Sequence, residues 1–136
     1  MPASGLPGGT YTWYVHPWNE VGYGPWSTNS TFTIQTAVPS VITRVSPSGS
    51  VMAGSTQRYT WKADAAATWY ELYVSSGGSV FCDQWYTLTN SVVDSTTGNF
   101  AVDVNGHGSG TYQWWVRAWG PDGYGPWGDS LSFRVP

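Results

Sequence analysis

Polar and apolar residues alternate in short stretches along this chain. Tyr112, Trp114, Val116 and Ala118 occupy every second position, and so do Tyr70, Leu72 and Val74. A period of two sends alternate side chains to opposite faces of a β-strand. Strands are predicted at Val41–Ser46, Gln57–Lys62, Trp69–Ser75, Val80–Leu88, Phe100–Val104, Thr111–Trp119 and Ser130–Val135. Turn-forming residues separate them: Pro47-Ser48-Gly49, Gly77-Gly78, Gly98-Asn99, Gly106 to Gly110 and Gly120 to Gly128. Seven short strands in about 100 residues predict an all-β, two-sheet antiparallel sandwich.

The chain also repeats itself. Gly9-Thr10-Tyr11-Thr12-Trp13-Tyr14-Val15-His16-Pro17-Trp18 lies over Gly110-Thr111-Tyr112-Gln113-Trp114-Trp115-Val116-Arg117-Ala118-Trp119. Gly22-Tyr23-Gly24-Pro25-Trp26 lies over Gly123-Tyr124-Gly125-Pro126-Trp127, and Phe32 over Phe133. The offset is 101 residues throughout, without a gap. Residues 1–37 therefore read as the C-terminal third of one repeat, and residues 38–136 as a complete one. The boundary is set at Ala37-Val38-Pro39-Ser40, where proline ends one strand before the next. Residues 9–36 predict a hairpin whose inward face (Tyr11, Trp13, Val15, Phe32) needs a partner. That partner is expected to be the complete domain or a second copy of the chain, because an isolated hairpin is only marginally stable in water.

Composition narrows the function. Of 136 residues, 10% are charged, 17% are aromatic and ten are Trp, which excludes a disordered chain. Five basic residues at net charge −3 argue against a nucleic-acid partner, whose phosphates demand cations. No apolar run approaches the roughly 20 residues of a membrane-spanning helix. Met1-Pro2-Ala3-Ser4-Gly5 does not read as a basic segment leading into an apolar stretch, so no signal peptide is expected in these residues. Cys82 stands alone and reads as a half-buried small hydrophobe.

Tyr112 to Trp119, followed by Gly123-Tyr124-Gly125-Pro126-Trp127, resembles the sixth strand and following loop of fibronectin type III domains. Trp61 resembles that family's core tryptophan on the second strand, and Tyr70, Leu72 and Val74 its third strand. Gly120 departs from the family's usual Asn, which the first copy keeps as Asn19. More narrowly, the chain is similar to Trp-rich fibronectin type III-like repeats of secreted bacterial proteins. Those occur in tandem or beside carbohydrate-active domains. The resemblance implies an immunoglobulin-like sandwich and an extracellular place within a larger protein.

It also implies which face is core. Tyr112, Trp114, Val116 and Ala118 then point inward with Tyr70, Leu72 and Val74, and Trp13, Trp61 and Trp114 serve as core. Trp69, Glu71, Tyr73, Gln113, Trp115, Arg117 and Trp119 share the outward face of two neighbouring strands. Trp85 and Tyr86 are expected to join them, and Trp127 to fold over from the loop. A sheet normally shows water a polar face, so this aromatic one needs a reason.

Three reasons are open. Cross-strand aromatic pairs stabilise a sheet, and Trp115 and Trp119 could sandwich Arg117 in a cation–π ladder. The face could pack on a neighbouring repeat. Or it binds a ligand. Catalysis is not expected: no recognised acid/base pair, G-x-S-x-G or H-E-x-x-H is present, and Glu71 with Arg117 reads as a cross-strand ion pair. No metal or other cofactor is called for. Polysaccharide suits the groups best, since pyranose C–H faces stack on Trp and Tyr while Gln113, Arg117 and Glu71 offer hydrogen bonds. The expectation is a non-catalytic carbohydrate-binding module using Trp69, Glu71, Tyr73, Trp85, Gln113, Trp115, Arg117, Trp119 and Trp127. The alternative is a structural spacer or adhesion repeat without a ligand.

Overall fold

The computed structural model describes residues 6–34, 37–51, 53–87, 92–94 and 96–136. Its contacts divide the chain into two units, Met1–Ala37 and Val38–Pro136.

Among its described residues the first unit holds four strands: β1 (Gly9–Trp13), β2 (Trp18–Asn19), β3 (Gly22–Tyr23) and β4 (Ser30–Ile34). β1 pairs antiparallel with β4, from Gly9 opposite Ile34 to Trp13 opposite Ser30. β2 and β3 form a small hairpin, with Trp18 opposite Tyr23. The Tyr11 ring stacks on its cross-strand partner Phe32 at 5.4 Å. Trp13, expected in a core, is 50% exposed, and Phe32 and Val15 are also exposed. The reason is architectural: among its described residues this unit has the β1–β4 ladder and the two-residue strands of the β2–β3 hairpin, and no larger sheet to form a sandwich with them.

The second unit adds β5 (Arg44–Ser46), β6 (Gly49–Ser50), β7 (Gln57–Lys62), β8 (Trp69–Ser76), β9 (Ser79–Tyr86), β10 (Val92–Val93), β11 (Asn99–Val104), β12 (Gly110–Gly120), β13 (Gly123–Tyr124) and β14 (Leu131–Val135). One sheet runs β10-β11-β7-β5; the other runs β6-β14-β12-β8-β9, with β13 on β12. The seven predicted strands are present with shifted ends. The first begins at Arg44 rather than Val41, whose side chain is exposed, and the predicted end at Leu88 lies outside the described residues. Gly77 and Gly78, at φ 58° and 80°, make the tight β8–β9 turn, where both central residues need a left-handed backbone.

The two sheets close over Tyr59, Trp61, Phe100 and Val102 on one side and Tyr70, Leu72, Val74, Tyr112, Trp114, Val116, Ala118 and Phe133 on the other. Trp114 is fully buried and its indole N–H donates to the Pro47 carbonyl at 3.0 Å. Cys82 packs partly buried against this core, and burial pushes its thiol pKa up. His107 is buried as well, with Nε2 2.8 Å from the Tyr59 hydroxyl. Desolvation lowers its pKa, outweighing backbone hydrogen bonds that favour the charged form.

Gly120 occupies the position of Asn19 for a steric reason. A Cβ there would sit 2.1 Å from the Ala66 carbonyl oxygen. The β2–β3 hairpin has room for a side chain at this point, and Asn19 Oδ1 accepts from the Val21 and Gly22 amides.

Candidate functional site

The outward face of β8, β9 and β12 is ordered in rows set by strand register. Trp69 lies opposite Trp119, which in turn faces Tyr124 of β13. In the next row, Trp85, Glu71 and Arg117 stand side by side, and after them Asp83, Tyr73 and Trp115. Gln113 follows, exposed, between Ser75 and Ser132. Tyr86 does not join the face. Its register partner is the inward Tyr70, so it turns to the core. Burial raises its hydroxyl pKa to about 12.

Glu71 and Arg117 form the expected ion pair, with Arg117 Nε and Nη2 both donating to Glu71 Oε2. The pair is more enclosed than a surface contact: Glu71 is only 9% exposed, although its strand face points outward. The cause is what lies over it. The Arg117 guanidinium sits 4.5 Å from the Tyr124 ring, 4.7 Å from Trp127 and 5.8 Å from Trp85. This corrects the expected ladder, because Trp115 and Trp119 do not sandwich Arg117. β12 turns back at once through Gly120 opposite Gly123, which carries Tyr124 and then Trp127 over the sheet.

Trp127 therefore has two sides. One covers Arg117. The other, with Tyr73, Trp115 and Gly128, lines an open cleft of about 340 Å³. Tyr73 meets Trp115 and Trp127 edge-on, at 5.7 and 6.4 Å. Trp127 remains 39% exposed, while Trp115 and Tyr73 are half-buried walls. Of the nine expected site residues, three line the cleft: Tyr73, Trp115 and Trp127. Glu71, Arg117 and Trp85 form the support beside them. Trp69 and Trp119 pair at one end of the face, and Gln113 lies beyond the other wall, outside the cleft.

Tyr124 and Gly128 were missed by sequence reasoning. The signal was available for Tyr124, since glycines at positions 120 and 123 mark a tight hairpin that brings it opposite Trp119. A second depression, about 480 Å³, lies elsewhere, lined by Asp64, Thr68, Tyr70 and Phe100 among others. Its one carboxylate is already engaged by the backbone amides of Ser40 and Ala66.

Comparison with solved structures places the architecture. The chain is similar to the crystal structure of chicken CNTN1 FN1–FN3 domains, with a TM-score of 0.50 and 15% identity over 97% of this chain. The fold is fibronectin type III-like. The chain spans 44% of that structure's length. At this identity the likeness concerns the fold alone, and fold does not assign function. No protein-family model and no curated protein matches the chain.

The fibronectin type III-like unit carries a tyrosine corner: the Tyr112 hydroxyl lies 3.1 Å from the carbonyl of Gly108, four residues upstream. Tyr11 repeats it on Pro7 at 2.7 Å. Among the described residues there is no cluster of His, Cys, Asp or Glu able to hold a metal. Nor is any of their helices long and apolar enough to cross a membrane.

Proposed function

We propose that this chain is a non-catalytic extracellular module that binds polysaccharide, with one sugar ring seated in the cleft of Tyr73, Trp115, Trp127 and Gly128. The observation that carries this reading is the open aromatic cleft on an otherwise ordered sheet face. Its lining has no charged side chain, so a ligand there is held by ring faces. The C–H face of a pyranose meets that need. Low affinity per site is offset in such modules by repetition, which raises effective concentration.

The test is affinity electrophoresis through gels containing hydroxyethylcellulose, xylan or galactomannan. Wild type is retarded by at least one of them, and Trp115→Ala and Trp127→Ala run freely while keeping the near-ultraviolet spectrum of the fold. Equal mobility of wild type with and without all three polysaccharides would refute the reading.

The spacer reading is favoured by one specific observation. The Arg117 stack on Tyr124 and Trp127 recurs as a His16 stack on Tyr23 and Trp26, at 4.8 and 4.1 Å. A stack that tolerates either residue is serving the loop's conformation. It accounts for one side of Trp127 and leaves the cleft side unexplained.

A further inference from the structure

We infer that the chain carries a second sugar site, in its first unit, formed by Tyr14, Trp26 and Ser27. The inference rests on the carbohydrate-binding reading of the Trp127 cleft and extends it to residues to which that reading gave no role.

Tyr14, Trp26 and Ser27 occupy the repeat positions of Trp115, Trp127 and Gly128. They line an open cleft of about 390 Å³. Each wall is placed by contacts of its own unit. Tyr14 meets Trp26 edge-on at 6.4 Å and 83°. His16 stacks flat on Trp26, 20° from parallel, which fixes the indole plane. The loop behind is tied twice to β1's continuation: the Ser27 amide donates to the Val15 carbonyl, and the Val15 amide donates to Ser27 Oγ, both at 2.9 Å. Trp26 is nonetheless 64% exposed. A tryptophan held on one side by a stacked ring, with most of its surface in water, offers its other side to a ligand.

The occupant follows from the lining. It has two aromatic rings, the hydroxyls of Tyr14 and Ser27, and no charge. That set matches a pyranose, with its C–H face on an indole and its hydroxyls towards water. It offers no cationic group to a phosphate or a carboxylate, and no carboxylate to a metal ion. The cleft also lacks its counterpart's third ring: among the described residues no strand beside β1 supplies an aromatic in the place of Tyr73. One aromatic contact fewer makes this site about threefold to tenfold weaker than the Trp127 site.

The experiment is ¹⁹F NMR on the full chain labelled with 5-fluorotryptophan, titrated with cellohexaose, xylohexaose and mannohexaose. Resonances are assigned by single Trp→Phe changes. The Trp26 and Trp127 signals both move and saturate with the same hexasaccharide, Trp26 at about threefold to tenfold higher concentration. Trp127→Ala abolishes its own response and leaves the Trp26 titration within about twofold. Tyr14→Ala weakens only the Trp26 response while keeping the His16 stack, and unchanged Trp13 and Trp18 signals show that the hairpin is intact. Movement of Trp127 alone overturns the second site and leaves the first reading standing. Absence of movement at both, with all three sugars, overturns both.

Discussion

Removing the Arg117 guanidinium tests how the outward face is held together. Arg117→Met keeps an unbranched apolar stem and deletes the charge. Three losses follow. Glu71 is left with an 11% exposed side chain and no cation. A surface ion pair contributes about 0–1 kcal/mol and breaking a buried one costs about 3–5. This pair lies between those limits, with Arg117 at 26%, so about 2 kcal/mol is expected from orphaning the carboxylate. Tyr124 and Trp127 each lose a cation at under 5 Å, adding about 0.5 kcal/mol apiece. The total is about 3 kcal/mol. Urea unfolding followed by near-ultraviolet circular dichroism measures it, alone and in a cycle with Glu71→Gln. The double variant recovers part of the loss, because a neutral amide in place of the carboxylate no longer needs a cation, and the coupling energy is at least about 1.5 kcal/mol. Additive single effects, or a cost for Arg117→Met below about 0.5 kcal/mol, would show that the pair is only a surface contact.

Other outcomes follow from the core and the repeat. Trp114→Ala costs about 3–5 kcal/mol in the same unfolding assay, whereas Trp13→Ala, at the equivalent but half-exposed position, costs under about 1. Gly120→Ala destabilises, since its methyl meets the Ala66 carbonyl, while Asn19→Ala alters only the small hairpin; thermal melts of the two variants separate them. For His107 the folded pKa lies below the unfolded one, so its contribution is complete above about pH 6.5 and is lost as pH falls through the folded value. Stability measured from pH 7 downward therefore falls in wild type and falls less steeply in His107→Gln. Cys82, partly buried and with a raised pKa, reacts with a disulfide reagent at pH 8 more slowly than free cysteine, and denaturant removes the difference.

The sandwich was legible because strand alternation depends on side-chain period, which the sequence displays directly. Period separates the two faces of β8 and β12, and the resemblance to fibronectin type III domains says which face is core and that the two strands are neighbours, which brings Glu71 beside Arg117. What escaped was set by close backbone approach and by loop path. Nothing in the sequence shows the Ala66 carbonyl passing beside position 120, so Gly120 looked like a departure when it is a steric requirement. The partners of Arg117 were misassigned for a related reason. Reading along one strand favours residues two apart, and here the covering rings arrive from a hairpin that folds back on the strand's end. Trp13 was misplaced because repeat equivalence predicts which way a side chain points, while burial depends on a facing sheet.

The two units separate what is local in this architecture from what needs the sandwich. The Gly24 amide donates to the Pro17 carbonyl at 3.0 Å, and the Gly125 amide to Ala118 at 2.9 Å. Tyr11 stacks on Phe32 as Tyr112 does on Phe133, at 5.4 and 5.2 Å. In both units the loop tyrosine and tryptophan close over the side chain at position 16 or 117. Among the described residues one unit has a facing sheet and the other has none, so the facing sheet is not what bends the loop. The strand-turn-loop segment carries its own geometry, through the tight Gly turn and the stacked side chain. A cleft wall built this way is present wherever the segment is present. Only the third wall, Tyr73, comes from a neighbouring strand. On the proposed sugar-binding reading, the segment itself supplies two walls of each cleft, and the residue that the adjacent strand places beside them sets how much tighter one cleft binds than the other.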